Sequence, residues 1–425
     1  MYILNYIDRN NIAAAKLSGL PEDLNLKGNQ FQTSVSILFV GYLLVQVPSN
    51  LFLNKIGLPG LYLPICMAIW GVISAATSTV KNFGGLLAPG CLYYLSCWYT
   101  RKELGLRTAL LYSGALISGA FSGLIAAGVN ANLDGVRGYS AWQWLFIIEG
   151  VITVGVALIA IPILPNFPRT TRWLSEEEKA LAIWRLEEDV GEDDWVSEEQ
   201  SMWYGAKLAF TDVKTYILLF LLIGIVSSGG VTNFLPAVVK TLGYNSVNTL
   251  LLTSPPYVLC VITSSLNAWH ADRTGERFWH ITLSLCFALV GFIIAATTTS
   301  IGPRYFAILI MVPGIYSAFV VALAWISNTM PRPPAKRAAA LSFINAVSNA
   351  TSIYVSYLYQ DWMAPQYVIA FSVNSGTVAL AIVSALTLRI ILARLNKKLD
   401  QGIHVEGAIN ALPGHAAEHG FRFKL

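Results

Sequence analysis

Charged residues are scarce in this chain. Aspartate, glutamate, lysine and arginine make up 12% of its 425 residues, and 55% of the residues are hydrophobic. Because a soluble globular domain carries about 25% charged residues, this composition excludes a soluble domain. The mean hydropathy of +0.56 predicts an all-α membrane protein that crosses the bilayer many times. The net charge of +4 does not indicate a nucleic-acid partner.

Cysteine is also rare, and all of its copies lie in apolar runs, at positions 66, 91, 97, 260 and 286. This placement predicts packing roles, with neither a disulfide framework nor a metal site. The sequence contains no P-loop, His-Glu-x-x-His, Gly-x-Ser-x-Gly or dinucleotide fingerprint. We therefore expect no enzymatic activity and no cofactor, and any transport must draw on an ion gradient or on the substrate gradient itself.

Apolar runs of about 17–25 residues predict twelve membrane spans. These lie at about residues 1–16, 32–54, 58–80, 83–99, 107–129, 142–165, 213–235, 247–269, 278–299, 304–327, 335–359 and 366–393. The first span is expected to be truncated, because residues 1–7 supply the only uncharged run before Asp8 and a span needs about 20 residues. The N-terminus also lacks the features of a cleavable signal.

A long polar segment divides the chain into two halves. We expect an N-terminal six-helix half at 1–165, a central loop at 166–212, a C-terminal six-helix half at 213–398 and a polar tail at 399–425. Within the central loop, Ser175 and Glu178 have the spacing of a capping box and predict a helix to about Asp189. This helix fits a solvated element on the membrane face, and a regulatory role is the alternative.

Basic residues decide the predicted orientation. Most of the 28 lysines and arginines lie after even-numbered spans, in the central loop or after Arg389, and the opposite loops hold only Lys16, Lys27, Lys81, Arg137, Lys240 and Arg304. The positive-inside rule then places the central loop and the C-terminus in the cytosol. Short loops at 54–57 and 271–277 occupy matching positions in the two halves. Two six-helix halves around a cavity are the architecture of major facilitator transporters.

Three segments strengthen this interpretation: residues 2–15, residues 40–51, and residues 133–150 with the run Trp142-Gln143-Trp144-Leu145-Phe146-Ile147-Ile148-Glu149-Gly150. They resemble the fungal allantoate permease branch of the anion:cation symporter family, over residues 1 to about 398. The resemblance implies a 12-span major facilitator fold. It also implies proton-coupled uptake of organic anions such as allantoate, nicotinate, pantothenate or biotin, by a monomer in the plasma membrane.

The chain departs from that family in its fourth span. Residues 82–87 run through Ala88 directly into Pro89 and Gly90, without the intervening Arg and Glu that are typical of the family. The resemblance implies that these two groups serve the substrate carboxylate and the proton. The shortened span at 83–99 therefore leaves an alternative function open, namely a sensor or an inactive, non-transporting membrane protein.

Charged residues inside spans are the strongest candidates for a functional site, because they are costly in a membrane and usually lie on a substrate or ion path. Asp8 is a candidate proton carrier, and Arg9 can offer two hydrogen bonds to a substrate carboxylate. Glu149 is a second candidate proton site. The alternative for all three is an ion pair that packs helices together.

Polar and aromatic residues in other spans are candidates for substrate binding. They are Tyr42, Gln46, Tyr112, Asn233, Tyr316, Trp325 and Asn345. Tyr316 and Trp325 could stack on a flat aromatic anion, and the paired glycines before Asn233 predict a local break in the helix. The alternative role for each is interhelical packing or hydrogen bonding.

The short loop after the eighth span carries four charged residues that are candidates for gating. Asp272, Arg273, Glu276 and Arg277 are expected to form a cytosolic charge cluster that controls the alternation of the two halves. We call these four residues the gating charges. The sequence thus predicts a transporter whose partners are a small organic anion, protons and the lipid bilayer.

Overall fold

The computed structural model describes residues 2–37, 39–40, 58–79, 101–166, 171, 173–190, 202–330, 334–403, 405 and 422–425. Within these ranges all regular structure is helical. The first part of the chain forms α1 (Tyr2–Leu17), α2 (Leu20–Asp23), α3 (Pro59–Thr77), α4 (Arg101–Asn132), α5 (Ala141–Ile163), α6 (Glu176–Val190) and α7 (Met202–Thr211). The second part forms α8 (Val213–Gly229), α9 (Leu235–Lys240), α10 (Ser246–Thr274), α11 (Phe278–Thr297), α12 (Ile301–Thr329), α13 (Pro334–Val355) and α14 (Val368–Asp400).

Eight stretches of these helices are long and apolar enough to cross a membrane. They are Pro59–Thr77, Gly114–Asn132, Ala141–Ile163, Val213–Lys240, Ser246–Thr274, Phe278–Thr297, Ile301–Thr329 and Val368–Asp400. Each coincides with a predicted span. Helix α1 has 16 residues, and α13 has 22 residues with two basic residues near its start. The predicted fourth span, and most of the second, lie outside the described residues.

Two local predictions from the sequence are confirmed. Helix α6 begins at Glu176, and the capping box closes on both sides: the Ser175 N–H donates to Glu178 Oε2 at 2.8 Å, and the Glu178 N–H donates to Ser175 Oγ at 3.2 Å. Helix α8 ends at Gly229, and the chain continues through a 3-10 turn, Gly230–Phe234, into α9. A Cβ atom at Gly230 would lie 2.3 Å from Val355 Cγ1, so the small residue also lets α13 approach.

The two halves meet along α4 and α10, where glycines allow close approach. A Cβ atom at Gly119 would lie 2.7 Å from the Tyr257 ring, and one at Gly123 would lie 2.5 Å from Thr253 Oγ1. Next to them, Ser254 Oγ donates to the Ala120 carbonyl at 3.0 Å. Small residues and interhelical hydrogen bonds of this kind stabilise helix contacts in membranes.

The halves are also joined at the side opposite the central loop, which is predicted to be extracellular. Residues 30–37 are helical and contact the end of α13. Ser36 Oγ donates to the Ile353 carbonyl at 3.1 Å, and the Thr33 and Tyr357 hydroxyl oxygens are 3.1 Å apart. We call this contact the outer gate. It brings the two halves into contact on this side.

On the central-loop side, Asp212 links α8 to α13. Its carboxylate caps α8 by accepting from the Lys214 N–H at 2.9 Å, and it contacts Lys336 Nζ at 2.7 Å and Lys214 Nζ at 3.5 Å. Burial alone would raise the pKa of Asp212, but the two lysine ammonium groups and the backbone N–H outweigh burial and lower this pKa below its ordinary value. Asp212 therefore stays ionised throughout the neutral range.

We expect Asp212→Ala to destabilise the folded protein by about 1–2 kcal/mol, the usual cost of losing a helix cap. Because the pKa of Asp212 is lowered in the folded state, its contribution is complete above the unfolded pKa of about 3.9 and is lost as pH falls through the folded value. Thermal unfolding of the purified protein measures the difference. Asp212→Asn is the matched control, since asparagine keeps the cap and loses only the ion pairs. Equal destabilisation by both variants would contradict a capping role.

Candidate functional site

Asp8 lies inside the N-terminal half. Helix α1 packs against α5, and the Asp8 side chain is only 6% exposed. Three donors from other helices surround its carboxylate: Trp70 Nε1 at 3.1 Å, Ser74 Oγ at 3.3 Å and Thr153 Oγ1 at 2.9 Å. The first two lie on α3 and the third on α5, so Asp8 joins three helices. All three donors are neutral and offer no positive charge to balance an ionised carboxylate.

Glu149 lies one turn before Thr153 on α5 and is 2% exposed. The Asp8 carboxylate is close enough to interact with it electrostatically, and Asn11 of α1 lies beside it. Among the described residues, the Asn11 side-chain amide is the donor that faces Glu149, but no hydrogen bond of full geometry forms to either carboxylate oxygen. Asp8 and Glu149 thus form a buried carboxyl pair that spans α1 and α5. We call Asp8 and Glu149 the carboxyl pair.

Burial makes two adjacent ionised carboxylates costly. Each charge removed from water costs several kcal/mol unless a partner compensates it, and two like charges in one site repel each other. The donors around Asp8 offset part of this cost, whereas Glu149 has only the nearby Asn11 amide to offset its charge. Such an arrangement favours a state in which the pair holds a proton, and it can exchange that proton when water or a cation reaches it.

Glycines set the spacing between α3 and α5 at the carboxyl pair. A Cβ atom at Gly150 would lie 2.6 Å from both the Gly71 carbonyl oxygen and the Ala75 nitrogen, and one at Gly71 would lie 2.9 Å from the Gly150 carbonyl oxygen. Any larger side chain must therefore push the two backbones apart. Because Trp70 and Ser74 flank Gly71, this contact also fixes the distance from the Asp8 donors to α5.

In the C-terminal half, hydroxyl groups connect two of the predicted substrate-binding segments. Tyr316 on α12 and Thr232 in the 3-10 turn have hydroxyl oxygens 3.0 Å apart, and the Tyr257 hydroxyl donates to the Thr232 carbonyl at 3.5 Å. The same turn carries Asn233, and it contacts both α1 and α13. The turn therefore lies between the halves. Tyr316 and Asn233 are partly exposed there.

The other predicted substrate-binding residues either lie away from this turn or fall outside the part of the chain that the structure describes. Asn345 is partly exposed on α13, where Asn349 Nδ2 donates to its side-chain oxygen at 2.9 Å. Trp325 is fully buried, and its indole N–H donates to the Lys424 carbonyl at 2.9 Å, so a substrate cannot stack on its ring in this conformation. Tyr42 and Gln46 are outside the described residues. For Arg9 and Tyr112 the structure describes the helical backbone alone.

The gating charges make their described contacts within the C-terminal half. Arg277 pairs with Asp272 at 2.5 Å, and Glu276 lies 3.7 Å from Arg389 on α14. The Arg273 guanidinium lies 5.5 Å from the ring centre of Trp269. Of these contacts, the one between Glu276 and Arg389 connects the loop after α10 to α14.

Sequence reasoning missed the donors of Asp8 and the tail. Trp70, Ser74 and Thr153 are ordinary span residues, and only the packing of α3 and α5 brings them to Asp8. The tail was predicted to be a polar extension, yet Phe423 is 3% exposed and belongs to the hydrophobic core. The apolar residues Phe423 and Leu425 in this segment could have indicated that it packs against the helices.

Comparison with known proteins agrees with this architecture. Residues 1–356 match the Major Facilitator Superfamily. The chain is 33% identical over 407 residues to the MFS-type transporter efuF of Hormonema carpetanum, covering 91% of this chain and 80% of that protein. It is 32% identical over 432 residues to the MFS-type transporter cnsO of Penicillium expansum, covering 95% and 82% respectively.

Solved structures agree on the fold. The crystal structure of a bacterial homolog of the human lysosomal transporter Spinster, inward-facing and unoccupied, matches with a TM-score of 0.63 and 12% identity. The match covers 92% of this chain and 94% of that one. At this identity the likeness concerns the fold alone. With its apolar helices and the family match over most of its length, this chain belongs to the major facilitator superfamily of multi-pass membrane transporters.

Proposed function

We propose that this transporter carries small organic anions together with protons, by alternating access between its two halves. The observation that carries the proposal is the carboxyl pair, Asp8 and Glu149, buried without a described cation between α1, α3 and α5. A buried carboxyl group inside a span is expensive, and a proton is the smallest ligand that removes its charge. The pair is therefore the proposed proton-coupling site.

The proposed anion site lies between the halves, next to the carboxyl pair along α1. Arg9 follows Asp8 directly in the sequence and can offer a forked pair of donors to a carboxylate. From the other half, Asn233, Tyr316 and Asn345 supply amide and hydroxyl groups. The Arg9 guanidinium would pair with the carboxylate of nicotinate, allantoate or a related vitamin, and the neutral amide and hydroxyl groups would donate hydrogen bonds to the rest of the anion. Tyr42, Gln46 and Tyr112 remain candidates for the same site. Trp325 is not part of the proposed site, because its ring is buried.

The outer gate supports a cycle of alternating access. The Thr33–Tyr357 and Ser36–Ile353 contacts join the halves on the side predicted to be extracellular, and opening of this gate would admit substrate and proton. Closure of the other side, controlled by the gating charges Asp272, Arg273, Glu276 and Arg277, would complete the cycle. An inward proton gradient would then drive uptake across the plasma membrane, with the C-terminus in the cytosol and one chain as the working unit.

Uptake of labelled nicotinate and allantoate by cells that lack their own carriers tests the proposal. We expect faster uptake at acidic than at neutral external pH, and loss of this difference when a protonophore collapses the gradient. A second form of the chain should carry the family's Arg- and Glu-containing block between Leu87 and Pro89. Well-expressed protein of both forms that takes up neither anion would overturn the proposed substrates, and uptake that is independent of pH would overturn proton coupling.

A further inference from the structure

The last residues of the chain lie against the C-terminal half, where several main-chain groups are bound. Asn396 on α14 clamps Phe423: its Nδ2 donates to the Phe423 carbonyl at 2.8 Å, and its Oδ1 accepts from the Phe423 N–H at 2.8 Å. Trp325 on α12 donates to the Lys424 carbonyl. The N–H groups of Arg277 and Phe278, at the start of α11, both donate to the main-chain oxygen of Leu425.

Side chains hold the same segment in place. Phe423 is 3% exposed and belongs to the main hydrophobic core, and Lys214 Nζ on α8 lies 5.4 Å from its ring centre. Arg422 pairs with Asp400 of α14 at 2.6 Å. A two-way amide clamp, a buried aromatic anchor and a bound main-chain oxygen are how proteins recognise a peptide. The site fits a short segment with an aromatic and then an aliphatic side chain.

The segment ties together elements that belong to one half of the protein. Its partners lie at the starts of α8 and α11 and near the ends of α12 and α14, all on the side predicted to be cytosolic. Helix α12 contains Pro313 and Gly314 near its middle. A proline inside a helix removes one backbone hydrogen bond, so Pro313 marks the point at which α12 can bend. Trp325 lies on the part of α12 after this point, and the segment binds it to α11 and α14.

We propose that residues 422–425 form a tail latch that holds the cytosolic part of α12 against α11 and α14. In the latched state this part of α12 is held within the C-terminal half and cannot move toward the N-terminal half, so the halves keep the arrangement in which the outer gate is in contact. Release of the latch frees α12 and lets the transporter turn outward. The chain thereby regulates its own cycle through its tail, independently of which substrate it carries.

Two engineered cysteine pairs report on the latch and on the gate in the full-length protein in membranes. Asp400→Cys with Arg422→Cys reports a seated tail, since these exposed side chains meet in the latch. Thr33→Cys with Tyr357→Cys reports a closed outer gate. Because a direct disulfide needs the two Cβ atoms within about 4.5 Å, each pair is linked with a flexible bis-maleimide that spans the space left by the replaced side chains, and mass spectrometry quantifies each linked peptide. We expect both links to form readily. Phe423→Ala should weaken tail seating about a hundredfold or more, as for other buried aromatic truncations, and should reduce both links.

Phe423→Leu is the matched control, because it keeps an apolar anchor and should preserve both links. A chain cut after Phe421 should form the gate link poorly, and a synthetic peptide of residues 418–425 should restore that link in trans, whereas a peptide with Phe423→Ala should not. This rescue separates release of the latch from misfolding. Absence of the 400–422 link in the intact chain would overturn the proposal. A gate link unchanged by Phe423→Ala, or unrestored by the peptide, would equally overturn it.

Discussion

We expect replacement of Asp8 with asparagine to remove acid-stimulated accumulation of substrate, while exchange of substrate across the membrane persists. Asparagine has nearly the same shape. Its Oδ1 can accept from Trp70 and Thr153, which both donate to one Asp8 oxygen, and its Nδ2 can donate to the Ser74 hydroxyl, so the packing of α1 against α3 and α5 is retained. It cannot lose a proton, however, and mimics one protonation state permanently. Under the proposed coupling, net uptake requires proton release, so we expect it to fall at least about tenfold.

Two assays on the same vesicles separate these effects. Accumulation under an imposed inward proton gradient measures coupling, and counterflow of labelled against unlabelled substrate measures the conformational cycle without net proton movement. Glu22→Gln is the control, because it removes a carboxylate from an exposed position on α2. Accumulation by the Asp8→Asn protein at the rate of the unmodified protein would refute a proton-carrying role. Loss of both activities would indicate that Asp8 acts in the structure instead.

The membrane architecture could be predicted from the sequence because the bilayer imposes simple rules. A span needs a long apolar run and internal hydrogen bonding. The lengths of the uncharged apolar runs therefore predicted the positions of the helices from Pro59–Thr77 to Val368–Asp400. The start and end of a helix could also be predicted where a few neighbouring residues determine them. The capping box of Ser175 and Glu178 started α6, and Gly229 and Gly230 ended α8 at a 3-10 turn.

The surroundings of the candidate site required the tertiary structure. Nothing in the sequence near Asp8 indicates that Trp70, Ser74 and Thr153 will supply its donors, because those contacts join residues 62, 66 and 145 positions apart. Trp325 illustrates the converse. An aromatic side chain in a span can stack on a flat substrate or pack against other helices. In the structure, the Trp325 indole N–H donates to the Lys424 carbonyl, almost a hundred residues away in the sequence.

Gly150→Ala should disable the carboxyl pair without touching either carboxyl group. The added methyl would lie 2.6 Å from the Gly71 carbonyl oxygen and the Ala75 nitrogen, which are backbone atoms and cannot turn aside. Helices α3 and α5 must therefore separate, at a cost of about 1–3 kcal/mol or more for overpacking. The same movement carries Trp70 and Ser74 away from Thr153, so the donors around Asp8 no longer converge. We expect a lowered unfolding temperature together with strongly reduced acid-stimulated uptake.

Gly155→Ala is a control on the same helix. A Cβ atom there meets nothing within 4 Å, and alanine favours a helix over glycine by about 1 kcal/mol, so this variant should be as stable as the original or more so and fully active. Thermal unfolding in detergent and uptake at acidic pH should be measured on both variants. If Gly150→Ala unfolds and transports like Gly155→Ala, then the contact between Gly71 and Gly150 does not set the geometry of the carboxyl pair. If Gly150→Ala alone loses acid-stimulated uptake while its protein remains folded, the spacing of α3 and α5 controls the proton site, and the small residues after Glu149 are part of the coupling mechanism.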